Sequence, residues 1–183
     1  MRKIILGYGS LLSAKWWKNT LKRVEEKDLI YTKLKWFKRI WSYTSDIFLT
    51  DENKVYGWVF LDIEKDKKFE IDTFWVIVDD EEFEKIRLRE KTYDMIDVTE
   101  NIKNPIKWYR YFTAYLKDKN KKCNKEKVIP WKYLDFVAEI LIQYGDEFRK
   151  KFYDTTFWLK NFAIKSGNYK FIDDEINKNT WKI

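Results

Sequence analysis

Glu90 and the run Gly7-Tyr8-Gly9-Ser10-Leu11 are the two places in this chain where residue type and spacing suggest chemistry. At 100° per residue, Phe83, Ile86 and Glu90 fall within about 60° of one another on a helix surface. The two apolar members must face the core, so the carboxylate points the same way, while Glu82, Glu84, Lys85 and Arg89 lie further round. A carboxylate on a core-facing stripe is costly unless it is paired or neutralised. Two readings stand side by side. Arg39 or another cation could pair with Glu90 as a structural salt bridge, or Glu90 lines a pocket and does acid/base work with a pKa raised by desolvation. A raised value suits proton removal from an amine, since each unit of pKa mismatch removed is worth about 1.4 kcal/mol.

The glycine run carries a different kind of signal. A chain of 183 residues at ordinary usage would hold about 13 glycines; this one holds five, and two stand at positions 7 and 9. Glycine between a buried strand and a helix start marks positive φ or close backbone approach. Amides of such a turn can converge on an oxyanion or on an α-carboxylate. The spacing is neither G-x-G-x-x-G nor a phosphate-binding loop ending in Lys-Ser, so a tight turn without function is the competing reading.

The chain has no histidine, which removes Ser-His-Asp and Cys-His nucleophile pairs, HExxH zinc sites and two-His-one-carboxylate iron sites. Proton transfer near neutral pH then falls to a retuned carboxylate, a Lys, a Tyr or the single cysteine. That cysteine, Cys123, lies in a lysine-rich loop and has no partner in the chain for a disulfide or a CxxC motif. No metal site is expected. The net charge of +7 comes from lysines spread along the chain, densest at 117–127, with no arginine-rich stripe. A solvated surface is the reading, and nucleic acid is not an expected partner. No run approaches the roughly 20 apolar residues of a membrane span. The stretch Ile4–Leu12 after Met1-Arg2-Lys3 superficially imitates a leader, but Gly7-Tyr8-Gly9-Ser10 interrupts it. It reads as a first strand and turn, with the cytoplasm as the expected compartment.

These groups need elements to hold them. Ile4–Leu6 is a short buried strand, and Ser13–Lys27 has helical spacing through Trp17, Leu21 and Val24. Leu29–Trp41 reads as a strand or strand pair, and Ile47–Leu49 as another. After a polar turn at 50–54, Val55–Ile63 is apolar on both faces, which implies burial on both sides. Phe74–Val78 is a further strand, and Asp79-Asp80 caps a helix over Glu81–Glu90. Met95–Val98 and Tyr109–Leu116 are strands. Helices follow over Trp131–Tyr144, with Leu134, Val137, Ile140, Leu141 and Tyr144 on one face, and around Glu147–Phe152. Many strands around one central helix, then terminal helices, give an α+β class.

Taken in order, these segments resemble the γ-glutamylcyclotransferase-like family. Gly7-Tyr8-Gly9-Ser10-Leu11 after a first strand looks like its GYGSL signature, as found also in the ChaC branch. Arg39-Ile40-Trp41 and Val55-Tyr56-Gly57-Trp58-Val59-Phe60 resemble two of its strands. Leu88-Arg89-Glu90, with Tyr93 and Val98 beyond, looks like the R-E-x-x-Y segment that carries the family's glutamate. Ala114-Tyr115 matches a later strand with a pocket tyrosine. Lys91-Thr92 stands where the ChaC branch has Gly, and that branch's His-containing strand segment is missing. The resemblance implies one domain over 1–183: a mixed, mostly antiparallel β-barrel with flanking helices, its core about 1–116 and a C-terminal helical part about 128–183. It implies a small γ-glutamyl substrate, release of 5-oxoproline without a cofactor, and a place in γ-glutamyl or glutathione metabolism among transferases or lyases. Glu90 is then the acid/base. Tyr8, Gly9, Ser10 and Leu11 cradle the substrate, and Tyr93 and Tyr115 are hydrogen-bonding candidates, with structural core tyrosine as the alternative for both. A non-catalytic binding protein of the same fold is the alternative function.

Overall fold

Residues 2–116 and 123–172 are described by a computed structural model. Arg2–Gly7 (β1) lies at the centre of a nine-stranded sheet, antiparallel to Lys54–Val78 (β3) and parallel to Tyr109–Leu116 (β5). Ile30–Leu49 (β2) runs antiparallel to β3, and Tyr93–Asp97 (β4) antiparallel to β5. The sheet curls until β2 meets the segment after β4 at an isolated Leu34–Ile102 bridge. The result is the expected α+β class: a large, mostly antiparallel, barrel-like sheet with flanking helices.

The two long strands differ from the short ones expected. The stretch 64–70, between the strands expected at Val55–Ile63 and Phe74–Val78, continues β3, where its charges face those of β2. Lys33 pairs with Glu70 at 2.8 Å, and Lys38 reaches Asp66 at 3.4 Å. Cross-strand charge pairs hold a solvated ribbon as well as apolar ones hold a buried one. The register of β2 against β3 slips at Lys35/Phe37 and again at Tyr43/Ser45. Such bulges sharpen a strand's bend.

The helix expected over 13–27 is only Ala14–Lys18 (α1); the chain then proceeds in turns, closed by Leu21 N–H to Trp17 O at 2.7 Å. Asn19 and Thr20 compete with helical hydrogen bonding, which explains the early stop. The apolar spacing still held its meaning, since Trp17, Leu21 and Val24 are all buried against Ile5 of β1 and against Phe83 and Ile86. Those last two belong to Asp80–Arg89 (α2), which starts at an Asp79–Glu82 capping box.

Beyond Lys127–Pro130 (β6), Trp131–Gln143 (α3) and Gly145–Asp154 (α4) cover the sheet. Three short strands follow and join it: Thr156–Phe157 (β7), Ala163–Lys165 (β8) and Tyr169–Phe171 (β9). The main core is aromatic, with Trp58 stacked between Phe60 at 4.4 Å and Phe171 at 4.6 Å. The lysine-rich stretch expected as a loop lies partly outside the described residues, as does most of 170–183.

Candidate functional site

Gly7 ends β1 and lets the chain double back. A Cβ there would lie 2.4 Å from both Cβ and the carbonyl oxygen of Leu11, which no side chain tolerates. The chain turns through a single 3₁₀ turn at Ser10–Leu12. Every carbonyl of the turn has a donor. Arg39 Nε gives a hydrogen bond to Tyr8 O at 2.8 Å, Trp17 Nε1 to Leu11 O at 2.8 Å, and Tyr144 Oη to Leu12 O at 2.5 Å. Gly9 O and Ser10 O accept from Leu12 and Ser13 N–H. The amides of Ser10 and Leu11 precede the first of these internal bonds and have no acceptor within the turn. With the carbonyls tied back, the turn presents donors.

Arg39 is fully buried. Besides Tyr8 O, it donates to Asp72 O and to Thr155 Oγ1 at 3.1 Å, and its guanidinium lies 4.3 Å from the Phe152 ring centre. Burial pushes its pKa down to about 9, so it stays charged at neutral pH. It braces the turn and is not the partner of Glu90.

Glu90 terminates α2, its N–H donating to Ile86 O at 2.9 Å. Its side chain is 18% exposed, and burial raises its pKa, opposed by neighbouring Arg89, whose Nε lies 3.3 Å from Oε1. Burial outweighs the cation. Both alternatives for this carboxylate therefore meet in one place: it touches a cation, and it also lines a cavity.

That cavity, of about 80 Å³, is bounded by the Gly7–Leu11 turn, Glu90, Tyr93 and Tyr133. It offers roughly five to eight times the space that one water needs, which suits a molecule of amino-acid size. The buried Tyr8 and Tyr133 and the half-buried Tyr93 stand close enough for the charge of Glu90 to raise their pKa values, desolvation being the larger cause in each. They remain neutral donors. Tyr93 Oη donates to Leu61 O at 3.2 Å. Thr44 and Ser45, at the second bulge of β2, close the far wall with Phe171. Among the described residues no group of three His, Cys, Asp or Glu side chains could hold a metal.

The whole architecture can be matched to known structures. A protein described as a gamma-glutamyl cyclotransferase superimposes with a TM-score of 0.60 at 10% identity, over 97% of this chain and 98% of that one. An uncharacterised protein from Homo sapiens, solved by ensemble refinement, gives 0.57 at 11% identity, over 96% of each chain. This chain has the γ-glutamyl cyclotransferase fold. No family model and no curated protein sequence matches it.

In this fold the expected residues Tyr8, Gly9, Ser10, Leu11, Glu90 and Tyr93 all line the one cavity. Tyr115 does not. Ala114 takes the lining position on β5, and alternation sends Tyr115 to the strand's other face. Arg89 and Tyr133 are among the lining residues that the sequence did not single out. Arg89, expected on the polar side of α2, is buried, because α1 and the turns after it cover that side and supply Trp16 O and Thr20 Oγ1 as acceptors. Tyr133 sits one turn before Val137 on the apolar face of α3, a spacing that was visible in the sequence. Among the described residues no helix is long and apolar enough to cross a membrane.

Proposed function

We propose that this chain is a γ-glutamyl cyclotransferase, converting a γ-glutamyl amine, amino acid or dipeptide into 5-oxoproline and the released amine. The observation that carries the proposal is a mostly buried carboxylate, its pKa raised by that burial, lining one small cavity together with the residues of the Gly7–Leu11 turn.

Glu90 takes a proton from the substrate's α-ammonium, and the freed amine attacks the γ-carbonyl carbon of the same molecule. Ring closure within a held substrate enjoys effective molarities of order 10⁵–10⁸ M. Charge developing on the carbonyl oxygen is met by the turn amides, which need little reorganisation because Gly9 O and Ser10 O, in the same peptide planes as the Ser10 and Leu11 N–H groups, accept from Leu12 and Ser13 N–H. The C–N bond to the leaving group then breaks, protonated Glu90 returns its proton to the departing nitrogen, and the ring nitrogen gives up its second proton to the departing amine, which leaves as an ammonium. Tyr8 and Tyr133 supply neutral donors to the substrate, and Tyr93, its proton given to Leu61 O, offers an acceptor. Such a reaction needs only proton transfer and charge stabilisation, which fits a cytoplasmic enzyme working without a cofactor.

The test is to incubate wild type and Glu90→Gln with a panel of γ-glutamyl amines, amino acids and dipeptides and to measure 5-oxoproline. Loss of roughly 10²–10⁴-fold with Glu90→Gln is expected for a general base. Undiminished 5-oxoproline formation would remove Glu90 from the mechanism. Absence of 5-oxoproline from every compound with wild type would leave a binding protein of the same fold.

A further inference from the structure

Arg89 holds one donor that the fold does not use. Its side chain is 5% exposed, and Nη1 is engaged by Trp16 O at 2.8 Å and Thr20 Oγ1 at 3.3 Å. Nε lies 3.3 Å from Glu90 Oε1. Nη2 is buried without an acceptor among the described residues. In a guanidinium, Nε–H and one Nη2–H point along the same edge, the fork that receives a carboxylate through two parallel bonds. Here only half of that fork is in use, and the 3.3 Å contact is long for a charge-assisted bond. Arg89 is one of the residues that line the cavity, and a buried donor left unmade costs about as much as a hydrogen bond contributes, so this one asks for an acceptor.

The partner that fits has two charges on neighbouring atoms. An α-amino acid carries its ammonium and its carboxylate on one carbon. Glu90 and Arg89 carry the complementary pair, in contact with each other and both lining the cavity. We propose that Arg89 is the α-carboxylate site of this protein: its Nε/Nη2 edge receives the carboxylate of a γ-glutamyl group while Glu90 receives the α-ammonium. The assignment rests on the cyclotransferase reading for its substrate, and it deepens that reading in two ways. It leaves the Ser10 and Leu11 amides for the γ-carbonyl oxygen. It also makes the free α-amino acid group, and not the leaving group, the part of the substrate that is read by charge.

Two lactams that differ only in the carboxylate give a test that needs no turnover. Binding of 5-oxoproline and of 2-pyrrolidinone is measured calorimetrically at neutral pH to wild type, Arg89→Gln and Arg89→Lys, each checked for a cooperative melt. Wild type is expected to prefer 5-oxoproline by about 10- to 100-fold, the worth of a charge-assisted pair of hydrogen bonds. Arg89→Gln should lose that preference while binding 2-pyrrolidinone as before, and Arg89→Lys, charged but without the fork, should fall between. Equal binding of the two lactams by wild type, or no binding of either, overturns the assignment without any variant. So does a preference that survives in Arg89→Gln, or equal weakening toward both lactams. Should Arg89→Gln fail to fold, Arg89→Lys and the wild-type preference decide. None of these outcomes depends on whether Glu90→Gln abolishes 5-oxoproline formation, so the carboxylate site and the cyclisation stand or fall separately.

Discussion

Replacing Arg39 with Met removes a buried charge of similar length and leaves its acceptors behind. Tyr8 O loses the one donor it has among the described residues, Asp72 O loses another, and the Phe152 ring loses a cation 4.3 Å from its centre. Two orphaned carbonyls cost about 1–3 kcal/mol each, and the cation–π contact adds up to about 2 kcal/mol. Relief of the guanidinium's desolvation offsets part of that sum. A net loss of about 3–5 kcal/mol is the expectation, as for other buried charges removed from one side only. At about 2–4 °C per kcal/mol for a chain of this size, the melting temperature should fall by roughly 6–20 °C. Arg39→Lys keeps one donor and should lose about half as much. Urea unfolding followed by tryptophan fluorescence measures the loss, with ten tryptophans as reporters. Because Arg39 braces the turn, amide hydrogen exchange at Ser10–Leu12 should accelerate beyond what global destabilisation gives. An Arg39→Met protein within about 1 kcal/mol of wild type, or one whose turn amides exchange only as fast as those of β3, would refute the bracing argument.

Four further outcomes can be measured. The pKa of Glu90 is raised by burial, so the folded protein holds this proton to higher pH than the unfolded chain does. Its favourable contribution is present at acid pH and is lost as pH rises through the folded-state pKa. Glu90→Gln, which mimics the protonated form, should therefore melt higher than wild type at neutral pH, with the gap closing toward pH 4; a gap that widens toward acid reverses the sign of the argument. In activity, the acid limb of kcat/KM should lie above the range of an ordinary glutamate. Gly7→Ala forces a Cβ into Leu11 and should cost about 1–3 kcal/mol with loss of ligand binding; a neutral effect would mean the turn has room to move. Tyr133→Phe should weaken ligand binding several-fold, whereas Tyr115→Phe should leave it unchanged, and the reverse order would mean that β5 presents its other face.

Local rules made part of this protein readable in advance. The Asp79 cap, the helix that follows it and the direction of Glu90 follow from capping chemistry and a 3.6-residue period, which act within a few residues. Gly7 is readable for the same reason, since its clash is with a residue four positions away. The absence of histidine narrowed the chemistry before any fold was considered. Other features depend on what a distant segment brings. The strand through 64–70 is legible only once the lysines of β2 face its acids. The sequence makes Arg39 a possible partner of Glu90 and puts Arg89 on the polar side of the helix, yet Arg39 is enclosed by Tyr8, Asp72 and Thr155, and it is Arg89, enclosed by Trp16 and Thr20, that touches Glu90. Tyr115 and Tyr133 could be ranked only after strand alternation and helix packing had turned one from the cavity and the other into it. Sequence alone determined which side chains were able to do the chemistry, because that is a property of the groups themselves. Tertiary structure decided which of them share a cavity and which cation stands beside the acid, because burial and long-range contact are properties of the packed chain.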